Sequence, residues 1–154
     1  MKLALVAVGK VRNSGLAALA DDYARRIGRF VPFAVHEAKD AKGRSPEEVK
    51  RLEGERLLAL LPPGCRVVTL DERGRDLTSV DVSRALERWT RDGTREVRFV
   101  VGGPDGLSPA IRARADESWR LSSMTLPHEF ARVLLLEQLY RGWAILRRLP
   151  YHKA

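Results

Sequence analysis

Three closely spaced glycines and a run of small hydroxyls mark where chemistry could sit in this sequence. An apolar run (Val97, Phe99, Val100, Val101) ends in Gly102-Gly103-Pro104-Asp105-Gly106. Glycine at a strand end lets a ligand come close to the backbone. The spacing is not GxGxxG, Pro104 stands where a dinucleotide turn needs free backbone, and no GxxxxGKS/T occurs. The usual dinucleotide and phosphate-loop readings are therefore weak. On the loop alone, a ligand and a plain strand-to-helix turn explain the glycines equally well. Further on, Ser122-Ser123-Met124-Thr125-Leu126-Pro127 mixes small hydroxyls with apolar side chains that polar turns seldom carry. Such a mixture suits an adenosine: apolar walls for the ring, backbone N–H and C=O for its edge. The other reading is a buried connection under the helix that follows. Two such loops, close in sequence, look like a small-molecule site at the carboxyl edge of an α/β sheet.

The titratable residues add candidates but no motif. His36, His128 and His152 are far apart, no pair has metal-ligand spacing, and the single cysteine, Cys65, adds no ligand set. No metal is expected. There is no nucleophile elbow and no obvious triad. His128 directly follows the second loop, where a neutral imidazole could accept a proton or make a local helix-start bond. The tail Tyr151-His152-Lys153-Ala154 is too short to fold alone and matters only if it docks. Cys65 follows a Pro-Pro-Gly turn and reads as a small buried apolar residue. One cysteine rules out an internal disulfide and fits a reducing compartment.

The elements that must position these residues follow from periodicity. Residues 2–8 (KLALVAV) are nearly all apolar, as in a strand buried on both faces. Asn13 or Ser14 caps a helix over 16–29, with Leu16, Leu19, Ala20, Tyr23 and Ile27 on one face. A second strand is expected at 33–37, and a mobile polar and basic loop at 38–45. Ser45-Pro46-Glu47-Glu48 starts a helix that runs to about 61, with a capping-box pattern. A third strand at 66–70 gives way to a polar loop at 71–75. Thr78 to Asp81 forms another capping box, opening a helix to about 91. After the fourth strand come a short Ser-Pro-initiated helix, a fifth strand at 119–121, and a long helix over 129–148. This alternation argues a single α/β domain with a mainly parallel sheet and helices on both faces. In the last helix Phe130, Val133, Leu134, Leu135, Leu136, Leu139, Tyr140, Trp143, Ile145 and Leu146 fall at every angle. A helix apolar all round is buried on more than one side, which favours a symmetric dimer over deep burial in one chain.

At 154 residues the chain can hold one real core. Its 44% hydrophobic and 31% charged residues are ordinary for a globular protein. No stretch is apolar enough to span a membrane, and the first residues lack a signal peptide's h-region. The net charge of +8 favours a polyanionic partner, most simply nucleic acid. Arginine far outnumbers lysine, an imbalance that base composition alone could produce. Arg25, Arg26 and Arg29 suit a helix C-terminus as a solvated face, with phosphate contact the lesser reading.

Taken together, MKLALVAVGK, VVTLDERG, LERWTRDG, FVVGGPDGLSP, SWRLSSMTLPHEFARVLLLEQLYRGWAI and the closing PYHKA resemble the RlmH (YbeA) family end to end. These are SPOUT-class methyltransferases of large-subunit ribosomal RNA. The resemblance implies a homodimer whose C-terminal part is threaded into a trefoil knot, which no periodicity argument proposes. It implies S-adenosylmethionine in the knot, at Leu70, Gly102, Gly103 and residues 122–127 (Ser122, Ser123, Met124, Thr125, Leu126, Pro127). It implies methylation at N3 of a pseudouridine in the helix 69 stem-loop of 23S rRNA, in the assembled ribosome, hence in the cytoplasm. Candidates for handling the acceptor are His128, Arg141, Tyr151 and His152, the tail reaching the other subunit's site. Lys153 stands where relatives commonly carry Arg and loses the bidentate fork. Asp105 stands where some relatives carry Glu and is given no proton-transfer role. A non-catalytic RNA-binding protein and a methyltransferase with another rRNA target are the competing readings.

Overall fold

The computed structural model describes residues 1–153; Ala154, the end of the predicted tail, lies outside the described residues. Ten elements alternate along the chain: β1 (Lys2–Val8), α1 (Ser14–Ile27), β2 (Phe33–Ala38), α2 (Pro46–Leu58), β3 (Arg66–Asp76), α3 (Ser79–Arg91), β4 (Glu96–Val101), α4 (Pro109–Arg114), β5 (Glu117–Arg120) and α5 (His128–Leu146). The strands form one five-stranded sheet in the order β2-β1-β4-β3-β5, and every pairing is parallel. The expected α/β class and mainly parallel sheet are found.

Side-chain alternation on the strands divides the core in two. Leu3, Leu5 and Ala7 of β1, Val68 of β3 and Val97, Phe99 and Val101 of β4 join Ile27, Leu86, Trp89, Leu135, Leu136 and Leu139 under α1, α3 and α5. Val6 and Val8 of β1, Val67 of β3 and Val100 of β4 face Leu57, Leu61 and Ile111 under α2 and α4. Helices therefore cover both faces, which is why β1 reads as a continuous apolar run. Trp119 and Trp89 stack at 5.7 Å between centroids, and Phe99 tilts against both. Cys65 is buried beside the smaller cluster, and burial pushes its thiol pKa up.

The caps follow the sequence closely. Asn13 accepts the Leu16 N–H, and Thr78 and Asp81 complete a reciprocal capping box on α3. At α2 the box is only half made. Ser45 accepts the Glu48 N–H, but the Glu48 carboxylate takes the N–H of Arg44 at 2.7 Å instead of Ser45. Two expectations need correction. Residues 71–75, read as a polar loop, belong to β3. That strand runs on with a register shift, so that both Leu70 and Arg75 pair with Trp119. The polar composition reflects exposure: beyond Leu70 the strand leaves the core and its side chains are mostly exposed. Leu19, placed on the buried face of α1, is 47% exposed.

The last helix and the first run side by side in the same direction. Glu129 Oε1 accepts the N–H groups of Arg12 (2.9 Å) and Asn13 (3.2 Å) at one end. Tyr23 and Phe30 each pack 6.0 Å from Tyr140 further along. On its other flank α5 meets α3 so closely that a Cβ on Gly142 would lie 2.9 Å from Leu86 Cδ1. Even so, α5 is not closed off: Phe130 is 54% exposed, and Val133, Leu134, Ile145 and Leu146 are only half-buried.

Candidate active site

The carboxyl ends of β3, β4 and β5 frame a cleft of about 650 Å³. Its floor is Val101, Gly102 and Gly103, its walls are Leu70, Leu121 and Leu126, and Asp105, Arg73 and Lys50 stand at its rim. The volume is that of an ordinary small-molecule site. Most of the predicted cofactor positions are lining residues: Leu70, Gly102, Gly103, Ser122, Ser123, Met124, Thr125 and Leu126, with His128 beside them. Pro127 is not in the lining; it is the exposed N-cap of α5.

The second loop is built to offer its backbone. Among the described residues, 122–126 make no backbone–backbone hydrogen bond; the one local contact is Met124 N–H to Ser122 Oγ at 2.9 Å. Met124 is 74% exposed at the lip. Free N–H and C=O groups next to leucine side chains are what a flat, heteroatom-edged ring requires. The first loop is tighter than a ligand alone would demand. Gly106, at φ 86°, turns the chain back, and its N–H donates to Gly103 O at 3.0 Å. A Cβ on Gly102 would lie 2.9 Å from Leu107 and 3.0 Å from the Gly106 carbonyl. The loop's fold on itself therefore accounts for these glycines, and their presence does not by itself require a ligand.

Asp71 and Arg112 also line the cleft and are paired with each other. Arg112 Nε donates to Asp71 Oδ2 at 2.6 Å, and the Arg73 N–H donates to Oδ1 at 3.1 Å. Burial raises the carboxyl pKa, but Arg112 and the Arg73 amide outweigh it and hold Asp71 below the usual carboxylate range. Arg132 ties α5 to the end of β1. It is 3% exposed, donates to Glu37 at 2.8 Å, and covers the carbonyls of Val8 (3.1 Å) and Gly9 (2.8 Å).

The remaining candidates form a second group. Arg141 Nη2 and Nε both donate to Glu137 Oε1, at 2.6 and 3.0 Å. The Tyr151 hydroxyl donates to the same oxygen at 3.0 Å and lies 3.0 Å from the Tyr23 hydroxyl. Its ring sits edge-on to Tyr140 at 4.7 Å, under the Arg141 guanidinium at 4.8 Å. Burial and these bonds push the Tyr151 phenol well above its usual pKa. Arg141 Nη1 lies 3.3 Å from His152 Nδ1. The tail is thus docked on α1 and α5, and Lys153 is exposed beyond it. His128 and Arg141 stand at opposite ends of α5, about 20 Å apart by helix rise. Within one chain the structure brings the cleft residues together and the tail residues together, but not the two groups.

A guanidinium only donates, so His152 Nδ1 must accept, and a neutral ring then carries its proton on Nε2. In that arrangement the other ring nitrogen of His152 is an N–H donor and no free lone pair remains. Sequence reasoning missed Asp71, Arg112, Arg132 and Glu137. Only Glu137 left a signal, four residues before Arg141 on a helix.

Residues 1–152 match the family model described as "Predicted SPOUT methyltransferase". The chain belongs to the SPOUT methyltransferase family. Proteins named "Ribosomal RNA large subunit methyltransferase H" align along the full length of both chains. That of Burkholderia multivorans (strain ATCC 17616 / 249) is 48% identical over 157 residues. Those of Burkholderia ambifaria (strain MC40-6) and Burkholderia vietnamiensis (strain G4 / LMG 22486) are each 47% identical. Membership of the family makes the chain a methyltransferase by class. Among the described residues no helix is long and apolar enough to cross a membrane, and no cluster of three or more His, Cys, Asp or Glu side chains could hold a metal ion.

Proposed function

We propose that this chain transfers a methyl group from S-adenosylmethionine to N3 of a pseudouridine in the helix 69 stem-loop of 23S rRNA. It would act as a homodimer on assembled ribosomes in the cytoplasm. The observation that carries this reading is the full-length identity of 48% to a protein named for methylating large-subunit ribosomal RNA. The cleft fits the donor by its chemistry: a loop at 122–126 without backbone–backbone hydrogen bonds among the described residues, leucine walls and a glycine floor.

Leu70, Leu121 and Leu126 would hold the adenine ring, the backbone of 122–126 its edge, and Gly102 and Gly103 the remainder. Bound there, S-adenosylmethionine supplies a methyl group already activated by its sulfonium. The protein's task is alignment and removal of a proton. Holding N3 in line with the methyl carbon supplies much of the rate. The N3 proton must leave, and the ring anion must be stabilised. His128, at the cleft, is the candidate acceptor of that proton. His152, with its proton on Nε2 and Arg141 behind it, suits the anion, and Arg141 or Lys153 suits a phosphate.

The separation of the two groups along α5 supports a composite site, in which one subunit's tail completes the cleft of the other. Leu19 and Phe130, exposed on the α1–α5 pair, supply apolar surface for the dimer. The trefoil knot belongs to the same reading. Supporting it, Gly74 of β3 lies against the Trp119 backbone of β5 so tightly that a Cβ has no room, while α5 returns to pack on α1 and α3. Mass spectrometry of rRNA from a strain lacking the protein tests the assignment. Loss of the helix 69 methyl, restored by the intact gene, is expected; an unchanged helix 69 overturns it. Absence of S-adenosylmethionine binding by the folded protein would instead favour a non-catalytic RNA-binding role.

A further inference from the structure

Behind the glycine loop lies a buried carboxyl that the mechanism does not use. Glu53, on α2, is 3% exposed. Its Oε2 accepts the Ala41 N–H at 3.2 Å, from the basic loop between β2 and α2. Its Oε1 is buried and has no hydrogen-bond partner among the described residues. Both oxygens lie close to Gly103: a Cβ there would be 3.0 Å from Oε1 and 3.4 Å from Oε2. Glu53 is thus wedged between two segments with different tasks. One forms the floor of the cleft; the other carries Lys39, Lys42 and Arg44.

The same helix grips both segments elsewhere. Arg56 donates to the carbonyls of Lys39 and Asp40, each at 2.9 Å, and the Glu48 carboxylate takes the Arg44 N–H. Gly54 packs against the Ser108 side chain at the far end of the glycine loop. Of these residues Glu53 touches both loops at once, so a change at its carboxyl reaches both directly.

We propose that Glu53 is a positioning residue that holds the floor of the cleft through Gly103 while its carboxyl is neutral, and releases it when the carboxyl ionises. A neutral carboxyl tolerates an oxygen without a donor far better than a buried carboxylate does. The charged groups facing it are Asp105 on the glycine loop, Asp40 on the basic loop and Arg56 on its own helix. Two of the three are carboxylates, and Asp105 rides on the segment that would be pushed away. Burial, chiefly, raises the Glu53 pKa above its usual value, with Asp105 and Asp40 adding to it. A raised folded pKa means the neutral, closed arrangement holds at low pH and is lost as pH rises through that value.

This inference rests on the methyl-donor reading of the cleft, and its test separates the two. Hydrogen exchange on the full-length protein without ligand is followed over residues 39–44 and 102–107 across the acid-to-neutral range, corrected for intrinsic rates. Protection in the wild type is expected to fall as pH rises. Glu53→Gln, which stays neutral and keeps the acceptor for Ala41, is expected to stay protected throughout. Calorimetry with S-adenosylmethionine should show affinity weakening by about fivefold or more over the same range in the wild type and staying flat in Glu53→Gln. Identical pH profiles in the two proteins, by exchange or by affinity, would overturn the role of Glu53. A wild-type protein that binds no S-adenosylmethionine at any pH would overturn the donor reading instead, and the exchange experiment, which needs no ligand, would then decide on Glu53.

Discussion

One oxygen, Glu137 Oε1, receives three donors from Arg141 and Tyr151, and Arg141 in turn fixes the face of His152. With Nδ1 facing Arg141, His152 has one ring nitrogen left for the acceptor, so its loss should impair the chemical step and spare binding in the cleft. His152→Ala is expected to lower methyl transfer about a hundredfold or more, with S-adenosylmethionine affinity kept; single-turnover assays and calorimetry measure the two separately. Unchanged transfer would remove the tail from the mechanism. In the lining of the cleft, the Asp71 side chain is 5% exposed and paired with Arg112. Its folded pKa is depressed, so this stabilisation is present above the unfolded carboxylate value and disappears as pH falls through the folded one. Urea titrations should find Asp71→Asn less stable by about 1–2 kcal/mol at neutral pH. The gap should narrow from about pH 4 downward.

At the scale of elements, capping residues and apolar runs located every helix and strand, because these signals are local. What escaped was decided by distant partners. Residues 71–75 look like a loop because the strand is irregular there: the register with β5 shifts between Leu70 and Arg75, both of which pair with Trp119. Leu19 has helical spacing that suits burial, yet its neighbours leave it exposed. The floor and walls of the cleft were legible as strand-end loops, whereas Glu53 and Arg132 were not, since a charged residue on a helix ordinarily reads as surface. The crossing of α5 and α3 depends on the missing side chain of Gly142, with Leu86 and Val82 at its surface. Gly142→Ala should destabilise the fold by about 1–3 kcal/mol through overpacking, which thermal and urea unfolding would register. A variant as stable as the wild type would mean that the two helices can separate without strain.

For the whole molecule, charge placement narrows the surface available to rRNA. Arg25 and Arg26 are engaged by Asp22, at 3.5 and 2.9 Å, which favours the solvated-face reading for that cluster. Lys39, Lys42 and Arg44 make no salt bridge among the described residues and lie at the carboxyl edge of the sheet, on the side where the cleft opens. Ribosome binding should weaken with salt, and charge reversal of Lys39 and Lys42 should reduce the slope by roughly one for each phosphate no longer neutralised. Binding indifferent to salt would remove phosphate contact from the reading. The buried guanidinium of Arg132 carries a different consequence, one of timing. The Val8 carbonyl it covers precedes it by 124 residues. The first strand can pair and collapse, yet its end stays uncapped until the last helix docks. A clasp that needs both ends of the chain in place is expected to be completed late, after the main barrier. Arg132→Met should therefore leave the refolding rate nearly unchanged and accelerate unfolding by about a hundredfold in stopped-flow chevrons, since removing one partner of a buried pair costs about 3 kcal/mol. Slower refolding would place the clasp of first strand and last helix in the folding nucleus itself.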